Sequence, residues 1–174
     1  VQPDMMCIAK AITSGYFPLG AALINERVAA VFESDSSGKA AIGHGYTYSG
    51  HPVGAAAALA AIAETRRLDV VTNAAVRGTQ LYEGMVSLAG RYPLVGDVRG
   101  GHGLMTAMEL VSNRETKAPI DGKLAIKMQK AAYHAGALIR VSGPNVILSP
   151  SLVIEEADID ITLNAVEEGL KAIY

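Results

Sequence analysis

A lysine, Lys10, stands in an apolar run, Met5-Met6-Cys7-Ile8-Ala9-Lys10-Ala11-Ile12, followed by the short, hydroxyl- and glycine-bearing Thr13-Ser14-Gly15-Tyr16. Burial in such company disfavours the ammonium form, lowers the pKa and frees the nitrogen lone pair. A neutral lysine amine attacks carbonyl carbons and forms Schiff bases. The competing expectation is a lysine whose stem lies along apolar surface while its head reaches water. A second group of interest is Tyr46-Thr47, set in His44-Gly45-Tyr46-Thr47-Tyr48-Ser49-Gly50-His51-Pro52. A threonine hydroxyl and successive backbone N–H groups in such a loop can cradle a phosphate. Without that use, Thr47 is an ordinary turn or cap residue. The third is Arg140, amid Ala137, Leu138, Ile139 and Val141. Its planar fork matches a carboxylate. In apolar surroundings it is either paired with a structural acid or held for a ligand.

Other reactive types carry less. Cys7 is expected to be a small buried filler rather than a nucleophile. His44 and His51 lie seven positions apart, but no cysteine or acid stands at ligand spacing nearby. Loop-stabilising hydrogen bonds are therefore expected of them, and no metal site. His102 and His134 are isolated and expected at the surface or an interface. Gly100-Gly101-His102-Gly103 lacks the strand and helix context of a dinucleotide site. Glu155, Glu156, Asp158 and Asp160 read as a solvated helix start, and the methionines as core filler.

Half of the 174 residues are hydrophobic and 18% are charged, enough for a substantial buried core. A net charge of −2 with no basic run argues against nucleic acid. One cysteine excludes an internal disulfide framework and fits a reducing, cytoplasmic compartment. No apolar run approaches the roughly 20 residues of a membrane span.

The elements that must position these residues follow from periodicity. Met5–Ala9 reads as a short buried strand or turn leading to Lys10, and Ala21–Ile24 as a short buried strand. Arg27–Phe32 starts a helix, and Ser34–Lys39 is a loop. The Ala-rich stretch from Pro52 to Arg67 is a helix with proline at its start. A second long helix covers 69–89, with Leu68, Val71, Ala75, Leu81, Met85 and Leu88 on one face. The break at Gly90-Arg91-Tyr92-Pro93 separates lobes 1–90 and 91–174. Residues 95–100 and 104–111 are paired strands, and 112–122 is a polar loop. A helix over 123–134 is closed by Gly136. Short strands at 138–141 and 145–149 precede a terminal helix over 155–173, acidic in its first turns. The class is α/β.

Asp4…Ala9-Lys10-Ala11-Ile12-Thr13-Ser14-Gly15-Tyr16-Phe17-Pro18-Leu19-Gly20-Ala21 and the Thr47 loop closely resemble the class III (ω-type) aminotransferases. So, in the same order, do Val98-Arg99-Gly100…Gly103-Leu104-Met105…Glu109-Leu110 and Gly136…Arg140…Leu148-Ser149-Pro150. The resemblance spans nearly the whole chain. It implies the fold type I scaffold of pyridoxal 5'-phosphate (PLP) enzymes: the rear of a large cofactor domain (1–90) and a small C-terminal α/β domain (91–174). Lys10 is then the Schiff-base residue and afterwards the general acid–base. Tyr46 and Thr47 are cofactor-binding, with Thr47 reaching the phosphate of the neighbouring subunit in a homodimer with shared active sites. Arg140 takes the substrate α-carboxylate and swings aside for apolar substrates.

The implied reaction moves an amino group from an amine or ω-amino acid to a small α-keto acid, pyruvate first. Within the class, α-ketoglutarate-dependent acetylornithine or γ-aminobutyrate types and a PLP aminomutase stay open. So does a catalytically silent structural or dimerisation fragment of a split enzyme. Family members carry a long N-terminal portion. It supplies an Asp for the pyridine nitrogen, a phosphate-holding turn and a stacking aromatic residue, so this chain is expected to be a cut or processed C-terminal part. Ser151 stands where a second proline is usual, and the 98–104 segment is one residue longer than the usual spacing. Both departures are expected to reshape the entrance to the substrate pocket.

Overall fold

Element order follows the sequence signals closely. The structure, a computed structural model, describes residues 1–174 except 42 and 44. It divides into two compact units, Val1–Leu68 and Asp69–Tyr174.

In the first unit, β1 (Met5–Ala9) pairs antiparallel with β2 (Gly20–Ile24), Cys7 opposite Ala22. The 3₁₀ turn Lys10–Thr13 lies between them. Helix α1 (Glu26–Glu33) is capped by Asn25, whose side chain accepts from the Val28 N–H at 3.0 Å. Asp4 ties this cap to the hairpin, accepting from Arg27 at 2.7 Å and Asn25 at 2.6 Å. Helix α2 (Pro52–Arg67) begins with proline at its first turn and buries Gly54 and Ala58. The strands differ from expectation: Met5, Met6, Cys7, Leu23 and Ile24 are exposed. Among the described residues this sheet has two strands only, and a two-stranded ribbon exposes much of its surface. Cys7 is thus not a buried filler, and Met5, Met6 and, in the second unit, Met105 are not core.

The second unit is a two-layer α/β structure. Its sheet runs β3 (Val95–Arg99), β4 (Thr106–Asn113), β7 (Asn145–Leu148), β6 (Arg140–Ser142), all antiparallel. The two-residue β5 (Ala118–Pro119) pairs with β4 inside the segment expected to be loop. Helices α3 (Val70–Arg91), α4 (Gly122–His134) and α5 (Glu156–Ile173) complete the unit. Leu81, Met85, Met108, Leu110, Met128, Val146, Ile159 and Leu170 form its core. The buried stripe of α3 is Val70, Gly78, Leu81, Met85 and Leu88, whereas Leu68, Val71 and Ala75 are exposed. At about 100° per residue, stepping back from Leu81 reaches the same side at Val70, not at Val71. The acidic start of α5 is a capping box, Glu155 and Asp158 exchanging side-chain and backbone hydrogen bonds. Gly136, just past α4, has φ 107°, the left-handed stop expected of it.

Among the described residues no helix is long and apolar enough to cross a membrane, and no group of three or more His, Cys, Asp or Glu is placed to hold a metal ion.

Candidate active site

Lys10 opens the 3₁₀ turn with φ 55°, a left-handed backbone that a long-chain residue adopts at a cost of order 1–3 kcal/mol. The surrounding turn holds it there. Thr13 is the most buried residue of the segment at 1% exposure, and its hydroxyl donates to the Phe17 carbonyl at 2.6 Å. The N–H of Ser14 donates to Ala11 and that of Tyr16 to Thr13. The Lys10 side chain is exposed and makes no hydrogen bond or ion pair with the described residues. The desolvation expected from its apolar neighbours is therefore not present in this chain. The flanking β1 and β2 side chains turn to solvent with it.

Phe17 links this turn to the Thr47 loop. Its ring packs 5.1 Å from the His51 ring and lies over Gly54, where an added methyl would come within 2.9 Å of two ring carbons. The Tyr48 ring also lies near His51, with centroids 6.1 Å apart. The His51 Nδ1 accepts from the Val53 N–H at 3.3 Å, so His51 is the loop-stabilising residue expected. His44, its suggested companion, lies outside the described residues. Two successive turns shape the loop, Ser49 N–H donating to Tyr46 and His51 N–H to Tyr48. Thr47 sits exposed between them, its hydroxyl and N–H without partners among the described residues. Tyr46 is exposed and engaged in an interaction of its own. The sequence singled out Lys10 and Thr47 but not Thr13 or Phe17. A short hydroxyl four residues before a carbonyl, and a lone aromatic before a Gly-bearing helix, are weak signals.

Arg140 belongs to the second unit. It sits on β6 opposite Ile147, which pairs in turn with Ala107, which pairs with Arg99. Cross-strand partners share a face. This row therefore lies on the face away from the buried Met108, Val146 and Leu148. Arg140 is exposed and has no ion-pair partner among the described residues, which leaves its fork available. It borders a cleft of about 290 Å³ with Leu138, Ser149, Asp158, Ile161 and Thr162. Arg99, at the other end of the row, is fully engaged. It donates to Asp97 at 2.8 Å, Glu109 at 3.0 Å and Asn145 at 2.7 Å. Glu109 first, then Asp97, raises its pKa further. Ser151, in place of the usual proline, accepts at its carbonyl from the Ile154 N–H and so turns the chain into α5.

These residues belong to segments with known counterparts. The model of the family described as aminotransferase class-III matches residues 1–170. The chain is a class III aminotransferase family member. It is 35% identical over 181 residues to the taurine–pyruvate aminotransferase of Bilophila wadsworthia, covering 99% of this chain and 40% of that protein. It is 32% identical to the probable gamma-aminobutyrate transaminase 3 of Oryza sativa subsp. indica, covering 99% of this chain and 34% of that protein. An amine transaminase from an uncultivated Pseudomonas species, solved in its PLP-bound form, superposes with a TM-score of 0.92 at 41% identity. That match covers 99% of this chain and 39% of the other. The class III chain thus has the fold of the PLP-dependent transaminases over the part it shares with them. It spans well under half the length of the curated relatives it matches, 38% in one case.

Proposed function

We propose that this chain forms the C-terminal part of a PLP-dependent aminotransferase that moves an amino group from an amine or ω-amino acid to a small α-keto acid, pyruvate first. The observation that carries this reading is the Lys10 turn: an exposed amine without a partner among the described residues, on a left-handed residue in a turn closed by the Thr13–Phe17 hydrogen bond, within a class III family match. In this reading residues 1–90 close a large cofactor domain, and 91–174 form the small C-terminal domain. The protein works in the cytoplasm as a homodimer.

The residues present fit the cofactor. The Lys10 amine is accessible, and the Thr47 hydroxyl and N–H are open for a phosphate oxygen. Lys10 Nζ would anchor it covalently, and Thr47, with Tyr46 beside it, would hold the phosphate of the neighbouring subunit's cofactor. Bound pyridoxal phosphate supplies the electron sink. Lys10 Nζ, once released from its anchoring role, carries the proton removed from the substrate carbon. Arg140 binds the substrate carboxylate through two parallel N–H donors and so orients it. The left-handed backbone at Lys10 sets the direction in which its side chain leaves the turn, and an amine held near the substrate carbon accelerates the proton transfer.

Borohydride reduction followed by intact-mass measurement and peptide mapping tests the reading. A phosphopyridoxyl group on Lys10 supports it. An unmodified chain that also fails to bind the cofactor with its remaining portion overturns it in favour of a structural or dimerisation fragment.

A further inference from the structure

The face of the second unit's sheet that carries Arg140 holds two guanidinium groups and two carboxylates on its strands: Arg99, Arg140, Asp97 and Glu109. Their pairing is lopsided. Arg99 takes both acids and Asn145 as well, while Arg140 takes none. The register sets Glu109 two strands from Arg140 and two residues along. That is about 12 Å between α-carbons at ordinary strand spacings, within the combined reach of a glutamate and an arginine side chain. Between them stand Asn145 and Ile147, neither of which carries a charge.

We propose that Arg99 is a positioning residue for Arg140: by holding Asp97 and Glu109 it keeps the carboxylates of that face from capturing the Arg140 guanidinium, which stays free for the substrate carboxylate. This rests on the reading of Arg140 given above. The physical basis is competition for one fork. A carboxylate attached to the same sheet has a high effective concentration, so an unclaimed Glu109 would compete with a dissolved keto acid at any ordinary substrate level. Arg99 removes that competitor at its source. Its two acids are bound by charge-assisted hydrogen bonds, and Asn145 fixes the guanidinium plane from the side nearest β7.

The test uses the complete enzyme and two acceptors, pyruvate and benzaldehyde, the second lacking a carboxylate. Arg99→Met should raise the KM for pyruvate at least fivefold and leave the KM for benzaldehyde and both kcat values within twofold. Glu109→Gln added to Arg99→Met should return the pyruvate KM to within twofold of the parent. Arg99→Lys, the milder change, should raise it less and in the same direction, and serves if the methionine variant does not fold. An unchanged pyruvate KM, or a rise that Glu109→Gln does not reverse, overturns the proposal. Arg140→Met is the control. If it leaves the pyruvate KM unchanged, the underlying reading of Arg140 has failed and the role of Arg99 falls with it.

Discussion

Gly78 of α3 and Gly103 of the β3–β4 connection are packed backbone against backbone. A methyl group added at Gly78 would lie 2.2 Å from the Gly103 carbonyl oxygen and 2.4 Å from its carbonyl carbon. Two physical effects compete at this position. Alanine is a better helix former than glycine by about 1 kcal/mol. Overpacking against an element that cannot give costs about 1–3 kcal/mol, and here the obstacle is backbone rather than the end of a flexible side chain. Gly78→Ala is therefore expected to destabilise the protein, lowering its denaturant midpoint. Gly90→Ala, in the same helix with nothing within 4 Å, should raise it slightly. A stabilised Gly78→Ala variant would contradict the contact.

Lys10→Ala in the complete enzyme should abolish transamination, and Lys10→Arg should not rescue it. A guanidinium stays protonated and cannot serve as an amine. Turnover is followed by amino-acid formation from the keto acid. Measurable turnover by the alanine variant would remove Lys10 from its assigned role.

Thr47→Ala should weaken cofactor retention several-fold, with Thr47→Ser close to the parent, because the proposed role uses the hydroxyl and not the methyl. Cofactor release during dialysis, read by absorbance, measures this. Equal retention by the alanine variant would leave Thr47 as a plain turn residue.

Glu167 on α5 gives a pH prediction. Partial burial pushes its carboxyl pKa up, but hydrogen bonds from Arg91 and from the Tyr92 hydroxyl, the latter at 3.0 Å, together hold it below the usual glutamate value of 4.5. A carboxyl whose pKa falls on folding adds stability above its unfolded pKa and loses that contribution as pH drops through the folded one. Glu167→Gln should thus lower stability at pH 7 by about 1 kcal/mol or less, since Arg91 is half exposed. The gap between variant and parent should close below about pH 4.5, the usual glutamate value. Urea titrations across that range would show it. A gap constant with pH would mean that the carboxylate charge is not what Arg91 and Tyr92 recognise.

Much of the architecture was legible because its signals are local. Pro52 and the alanines that follow mark α2, and the Gly136 stop and the acidic start of α5 mark helix ends within a residue or two. Lys10, Thr47 and Arg140 were singled out from sequence as candidates, their roles resting on the family resemblance rather than on residue type alone. What sequence could not supply was packing. The exposure of Cys7 and Met5 depends on what lies across from a strand, which no periodicity records. The phase of α3 is one residue off over its first two turns, because Val71 is as apolar as Val70 and Ala75 is identical to Ala74. The β5 pairing escaped because a two-residue strand containing Pro119 has no pattern to read. The supporting role of Phe17 arises from a contact with a ring 34 positions further along the chain, and that of Thr13 from a side-chain bond four residues away that no periodicity marks.

The Phe17 ring, seated on Gly54 and stacked beside His51, makes the lysine turn and the threonine loop share one fulcrum. Substitutions at Phe17, His51 or Gly54 will be felt at both ends at once, so these three positions should tolerate change only in concert. The Arg140 row has the opposite character. Its neighbours Ala107 and Ile147 are small or uncharged, sit on separate strands and belong to no such joint. Ala107 and Ile147 therefore leave room for change between the two arginines, and the Phe17 joint leaves little.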